Sequence, residues 1–188
     1  MRDGTCEIQA VVAGAGGQGV VSMSYLLAHI GMARGYHVSW FPSYGAEMRG
    51  GTATCLVVVS KDEVSSPIFE WATHGVILNT PSFRKHEAKL VAEGVVIVDA
   101  DLVDGGPSRE DLVFVPVPAQ TIAGQAGNPR SANMAMLGAL LAHSGLGEST
   151  DLESHIKTVL PKRHWKHIPA NIEAARRGAE FVRERKPE

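Results

Sequence analysis

The segment Gly14-Ala15-Gly16-Gly17-Gln18-Gly19 has the composition of an anion seat. Its glycines permit positive φ and let a ligand approach the backbone closely. A helix starting directly after it adds unpaired N–H groups and a partial positive charge. The G-x-G-x-x-G spacing is that of a dinucleotide-binding turn, yet the acid expected about 20 residues on, at the end of the second strand, is missing. That strand closes with Ser39-Trp40-Phe41-Pro42, and no Lys-Ser/Thr pair follows the glycines. Three readings stay open on the residues alone. The loop is a nucleotide-cofactor turn, a structural tight turn, or a seat for another anionic or carbonyl group completed by a neighbouring chain.

The stretch Pro42-Ser43-Tyr44-Gly45-Ala46-Glu47-Met48-Arg49-Gly50-Gly51-Thr52 packs an aromatic hydroxyl, a carboxylate and a guanidinium between glycines, straight after a strand. Loops so placed gather at the carboxyl edge of a sheet, where ligand and partner sites form. Arg49 suits a planar carboxylate or phosphate through its fork. An internal Glu47–Arg49 pair bracing the loop is the structural alternative. Elsewhere the chemistry is thinner. Asp99 and Asp101 read as capping and loop acceptors ahead of an acid–base pair. His164 and His167 lie among Lys162, Arg163 and Lys166, whose positive charge opposes a metal ion and favours a solvated basic turn able to dock an acidic partner surface. No residue is assigned catalysis, and no metal site is expected.

Both loops need a sheet to hold them. Residues 8–13 form a short apolar run ending in glycine, a buried strand. Apolar residues at helical spacing over 20–33, closed by Gly35, predict the first helix. Residues 37–41 follow as a strand stopped by Pro42, and 53–59 as another. A short returning strand over 64–68 would make part of the sheet antiparallel. A strand over 75–79, a helix over 82–92 and a strand over 95–99 come next. Residues 112–117 form the last strand, closed by Pro116 and Pro118. From 119 the chain turns helical: 131–141 is apolar on nearly all sides, while 151–160 and 168–184 are amphipathic. The expectation is one domain over residues 1–188. It is a three-layer α/β/α fold with a mostly parallel, partly mixed sheet (1–118) and a helical C-terminal third (119–188).

Composition sets the outer limits. The 188 residues are 44% apolar, enough for one real core, and carry a net charge of −2. So near a balance excludes a dominant attraction to nucleic acid or to an anionic membrane surface. No stretch approaches the ~18 uninterrupted apolar residues of a membrane span. The polar N-terminus lacks signal-peptide character, so the expected location is the cytoplasm. Cys6 and Cys55 match no CxxC spacing and read as free thiols. Two thiolates fall short of the usual four that hold a [4Fe–4S] cluster.

The two loops together resemble the gamma subunit of 2-oxoacid:ferredoxin oxidoreductases. In that family a GxGGQG loop opens the first helix and a PSYGxEMRGGT-type loop follows the second strand. The likeness runs on through Ser65-Ser66-Pro67, the strand ending at Asn79, Asn133-Met134-Ala135-Met136-Leu137-Gly138, and Asn171 and Gly178 in the last helix. Two departures stand out. Ala46 occupies a place where proline is common, and Thr80-Pro81-Ser82 begins its helix in a less typical way.

This resemblance implies a multi-subunit enzyme that converts a 2-oxoacid, coenzyme A and oxidised ferredoxin into acyl-CoA, CO2 and reduced ferredoxin. The loop's form places 2-oxoglutarate first among the oxoacids, within a group that includes the branched-chain members. It implies thiamine diphosphate, Mg and Fe–S clusters in partner subunits, with coenzyme A as co-substrate and no cofactor held by this chain alone. The implied partners are alpha and beta (thiamine-binding) subunits and a ferredoxin-like delta subunit or ferredoxin. The isolated chain would be inactive and prone to self-association. The residues expected to line a ligand or an interface are Gly14, Gly16, Gly17, Gln18, Gly19, Ser43, Tyr44, Glu47, Arg49, Gly50, Gly51 and Thr52. Two competitors remain: a stand-alone nucleotide-binding oxidoreductase using the glycine loop, and a scaffold or regulatory module of the same fold without partners.

Overall fold

A computed structural model describes residues 8–44 and 51–185. Its centre is β1 (Ile8–Ala15), a run so apolar that Ala10, Val12 and Ala13 are all fully buried. A strand covered on both faces must read this way. On one side β1 pairs antiparallel with β3 (Thr52–Ser60), and β3 pairs antiparallel with the edge strand β2 (His37–Tyr44). On its other side β1 runs parallel to β4 (Ala72–Ile77), followed by parallel β5 (Leu90–Asp99) and β6 (Val113–Val117). The sheet order is β2-β3-β1-β4-β5-β6.

Alternation along the strands splits the core between two faces. Val12, Cys55, Val57 and Val59 face α1 (Val20–Ala33), while Val11, Ala13, Ile77, Val96 and Val98 face Phe83 of α2 (Thr80–His86). The α1 face continues outward through α3 (Ala119–Gln125), α4 (Ala132–Ser144), α5 (Ser149–Val159) and α6 (Ile168–Arg183). In α4 every residue from Ala132 to Leu141 is buried, as an all-round apolar helix must be. Its contact with α6 is close. A Cβ on Gly138 would lie 2.8 Å from Ala175 Cα, and one on Gly178 would lie 2.9 Å from Ala135 Cα. Outward, α6 carries an exposed network in which Arg176 and Arg177 share Glu173 and Arg176 also reaches Glu180.

The expected three layers and helical C-terminal part are present, with five differences in detail. Strand β2 runs through Pro42 to Tyr44, because an edge strand tolerates a proline whose missing N–H would face solvent. Pro116 likewise lies inside edge strand β6. Residues 64–68 form no strand, and the antiparallel part of the sheet comes from β3 instead. The helix expected over 82–92 ends at His86, passes through a 3-10 turn (Glu87–Lys89) and gives way to β5 at Leu90. Finally, β1 and β2 are not neighbours, since β3 lies between them.

Candidate functional site

The glycine loop leaves β1 at Ala15 and enters α1 at Gly19, which caps the helix with φ +77°. Gly17 adopts φ +94°, again the left-handed region where a side chain is strained. Gln18 holds the turn from inside. Its Oε1 accepts from Ala15 N–H at 2.6 Å and from Asn79 Nδ2 at 3.3 Å, and its Nε2 donates to the Leu78 carbonyl at 3.0 Å. Asn79 also caps α2 by accepting from Ser82 N–H at 2.9 Å. One hydrogen-bond chain therefore ties the ends of β1 and β4 to the start of α2.

Gly51 and Thr52 reach the same edge. Gly16 N–H donates to the Gly51 carbonyl at 3.0 Å, and Thr52 opens β3 opposite Ala15. The glycine loop thus meets Gly51 and Thr52 across the antiparallel β1–β3 pair rather than across neighbouring parallel strands. This arrangement matters chemically. A dinucleotide turn needs a parallel second strand beside the first, ending in an acid that binds the ribose. Antiparallel β3 fills that place here.

Above the loop, α4 and α6 complete a cleft of about 320 Å³ in which Gly17, Gly19, Ser22, Arg130, Asn133, His164, His167 and Asn171 lie beside apolar Met134, Leu160 and Pro161. Asn133, 6% exposed, donates through Nδ2 to the Gly19 carbonyl at 3.2 Å. A Cβ on Gly19 would stand 2.8 Å from the Asn133 Cγ, so this amide and this glycine require each other. Asn171, 8% exposed, accepts from Ser131 Oγ at 2.6 Å. Asn128 stands behind Ser131, donating to its Oγ at 3.0 Å. Asn133 Oδ1 and Asn171 Nδ2 make no hydrogen bond among the described residues, nor do the N–H groups of Gly17 and Gly19. The first turn of α1 holds no acidic side chain, so its partial positive charge is uncompensated. Arg130 is exposed and has no ion-pair partner among the described residues. The basic turn Lys162–His167 closes the cleft and is anchored where Trp165 Nε1 donates to the Leu160 carbonyl at 3.0 Å. Donors, an acceptor and spare positive charge thus face one hollow, a combination suited to a phosphate with an adjoining amide.

On the other side of the glycine loop lies an apolar hollow of about 480 Å³ walled by Tyr25, Trp40, Val21, Ala53 and Val159. Trp40 is fixed by donating to Ser24 Oγ at 2.9 Å, with the Tyr25 ring 5.0 Å away.

The sequence candidates distribute as follows. Gly16, Gly17, Gly19, Gly51 and Thr52 gather at the loop edge. Gly14 is buried beneath Gln18, whose Oε1 would lie 2.7 Å from a Cβ there. Gln18 is occupied as a brace, with both ends of its amide bonded inward. Ser43 opens onto the opposite face of the sheet, in a separate groove. Tyr44 ends β2, and Glu47, Arg49 and Gly50 lie outside the described residues. Arg130, Asn133 and Asn171 were not among the site candidates. For the two asparagines the signal was an amide inside an otherwise apolar helix face, and for Arg130 the sequence carries none.

The remaining titratable groups serve the framework. Asp99 is fully buried and accepts from Ala119 N–H, Asp101 N–H and Gln120 Nε2. Burial pushes its carboxyl up, against those bonds. Asp101 accepts from Thr121 N–H at 2.7 Å. Both start α3 in a capping role. Burial pushes the Cys55 thiol up. Burial, then the charge of His143, brings His74 down to about 4, and burial with Lys85 and Lys89 does the same to His86. Among the described residues no three His, Cys, Asp or Glu side chains converge on a metal-sized space, and Cys55 is a single buried thiol. That donor set does not fit an Fe–S cluster or a metal–diphosphate site.

Comparison with known proteins gives a consistent picture. The family model for pyruvate ferredoxin/flavodoxin oxidoreductase matches residues 9–181. Ketoisovalerate oxidoreductase subunit VorA of Methanothermobacter marburgensis is 37% identical over 179 residues, covering 94% of this chain and 37% of the relative. The chain thus spans about a third of that relative's length. 2-Oxoglutarate synthase subunit KorC of Archaeoglobus fulgidus is 33% identical over 177 residues, covering 94% of this chain and 89% of the relative. In fold, the chain matches a keto/oxoacid ferredoxin oxidoreductase gamma subunit from Geobacter sulfurreducens with a TM-score of 0.79 at 24% identity, over 94% of this chain and 99% of that one. It also matches 2-oxoglutarate:ferredoxin oxidoreductase from Magnetococcus marinus, solved with 2-oxoglutarate, coenzyme A and succinyl-CoA bound. There the TM-score is 0.78 at 22% identity, over 96% of this chain and 32% of that one.

Proposed function

This chain belongs to the pyruvate ferredoxin/flavodoxin oxidoreductase family, and on that premise we propose that it is the gamma subunit of a 2-oxoacid:ferredoxin oxidoreductase whose cleft above the glycine loop receives coenzyme A. Thiamine diphosphate with Mg and the Fe–S clusters belong to partner alpha, beta and ferredoxin-like delta subunits, which carry out decarboxylation and electron transfer. The oxoacid is 2-oxoglutarate or a branched-chain acid, the two classes for which the relatives are named, and its acyl pocket is built by those partners. The complex works in the cytoplasm.

The observation that carries this reading is the set of unused polar atoms in the cleft. Gly17 and Gly19 N–H, at the bare start of α1, suit a phosphate oxygen. Arg130 adds a planar fork beside it. Asn133 Oδ1 and Asn171 Nδ2 offer an acceptor and a donor to an amide such as those of the pantetheine arm. Here the chain binds, orients and excludes water while the thiol end extends toward a partner subunit. Edge residues 51 and 52, with the loop that precedes them, are assigned to that interface. The stand-alone nucleotide oxidoreductase reading is disfavoured by antiparallel β3 standing where a ribose-binding strand would be.

The test is calorimetric titration of the assembled complex with coenzyme A, wild type against Asn171→Leu. The variant is expected to bind about tenfold or more weakly, one hydrogen bond to a buried amide being worth roughly 1–2 kcal/mol. Unchanged affinity in a correctly assembled Asn171→Leu complex would remove coenzyme A from this cleft.

A further inference from the structure

A further hollow lies away from the glycine-loop cleft. It is an open groove of about 580 Å³ on the α2 face of the sheet. Its floor comes from β1, β3 and β2 through Val11, Leu56 and Phe41, and its walls are α2 and the segment before β4. On this face α2 packs over β1 and β4, while β3 and β2 have α1 on their other side. Among the described residues no helix covers this half of the face. A sheet that buries both faces in an α/β fold needs a helix layer there.

The exposed surface bears the mark of that missing layer. Phe41 is 40% exposed, Trp71 50% and Ile68 62%, and all three line this groove. Large apolar side chains grouped on one surface mark a partner contact. Charge narrows the partner. Lys85 and Lys89, four apart at the α2 rim, are exposed and have no ion-pair partner among the described residues. Glu70 stands among the lining groups as the acidic counterweight.

We infer that this groove receives a helix from a partner subunit, apolar along its sheet-facing side and lined with Asp or Glu along the flank that faces Lys85 and Lys89. The helix completes the third layer over β3 and β2, and its acidic flank sets its orientation between the lysines and Glu70. This rests on the gamma-subunit reading, since it needs a permanent partner. It is independent of where coenzyme A binds.

The test uses the complex purified from its native host through a tag on this chain. Lys85 and Lys89 are first acetylated with an exposed-amine reagent, in the complex and in the isolated chain. At least tenfold slower modification in the complex is expected. Carbodiimide coupling of a separate, unacetylated sample of the complex, which joins a free amine directly to a carboxylate, should link Lys85 or Lys89 to an acid within a helix of another subunit. The double charge reversal Lys85→Glu with Lys89→Glu should lower partner recovery about tenfold at physiological salt while leaving the circular dichroism of the isolated chain unchanged. Equal lysine reactivity in complex and isolated chain overturns the inference and leaves the subunit reading standing. Coupling to a second copy of this chain, or to a non-helical segment, also overturns it. A tagged chain that purifies alone overturns both.

Discussion

Replacing Gln18 with Ala separates a ligand contact from an internal brace. The side chain makes two well-formed bonds, from Ala15 N–H at 2.6 Å and to the Leu78 carbonyl at 3.0 Å, and a longer one from Asn79 Nδ2 at 3.3 Å. Leu78 is 1% exposed, so its carbonyl has poor access to replacement water. An unmet buried polar group costs about 1–3 kcal/mol, and the Ala15 end lies nearer solvent and costs less. The sum is about 2–3 kcal/mol. For a chain of this size that corresponds to a fall in melting temperature of about 4–12 °C. Gln18→Glu should fare no better, since it keeps the acceptor for Ala15 N–H but turns a carboxylate oxygen toward the Leu78 carbonyl. Differential scanning calorimetry of the wild type and both variants measures the loss. Coenzyme A affinity, compared in the assembled complex well below the variants' melting temperatures, should change by less than about threefold. A Gln18→Ala protein that melts within a degree of wild type and no longer binds coenzyme A would refute the brace and restore Gln18 as a contact.

Gly138→Ala should be costly, because its methyl would press on the Ala175 backbone and force α4 from α6. A loss of about 3 kcal/mol, seen as a lower urea midpoint, is expected, and an unchanged midpoint contradicts the close helix contact. Arg130→Ala should raise the KM for coenzyme A about tenfold in the assembled enzyme, with little change in melting temperature; an unaltered KM removes Arg130 from the phosphate site. Acid should destabilise the chain before its carboxylates titrate. His74 and His86 are held down to about 4 in the folded state, while an unfolded histidine takes its proton near 6.5. Stability is therefore full above about pH 6.5 and falls as the pH drops toward 4, by about 2 kcal/mol at pH 5 for a fully buried ring and less for half-buried His74. Urea midpoints at pH 7.5 and pH 5 should show the fall, and His86→Leu should flatten it.

How far the sequence reveals this molecule depends on whether the deciding interaction is local. The first helix is legible from end to end because its apolar spacing, the glycines before it and Gly35 after it are all close neighbours in the chain. Strand β1 is legible for the same reason. What local pattern cannot convey is which strand lies beside which. Nothing near Thr52 signals that β3 pairs with both β1 and β2, and that placement decides whether a dinucleotide can bind. Pro42 looks like a stop until β2 is known to be an edge. Residues 64–68 carry Val and Ile at strand spacing, yet they find no ladder partner. In the candidate site the glycine loop is readable from its residues. The cleft above it is not, because Asn133 and Asn171 come from helices more than a hundred residues downstream. Asn133 inside an otherwise apolar helix was the available clue, since a buried amide must find partners. Gln18 shows the converse, a polar side chain at the centre of the motif whose hydrogen bonds all turn inward.

The central claim is that this chain completes an enzyme whose chemistry resides in other subunits. The direct measurement is 2-oxoacid-dependent reduction of a viologen dye, with coenzyme A varied, on two samples. One is the chain expressed alone; the other is the complex recovered through a tag on the same chain from its native host. The complex should contain a thiamine-binding subunit and reduce the dye in the presence of oxoacid and coenzyme A, and the isolated chain should be inert. Dye reduction by the isolated chain, or recovery of the chain without partners under conditions that preserve other complexes, would contradict the account.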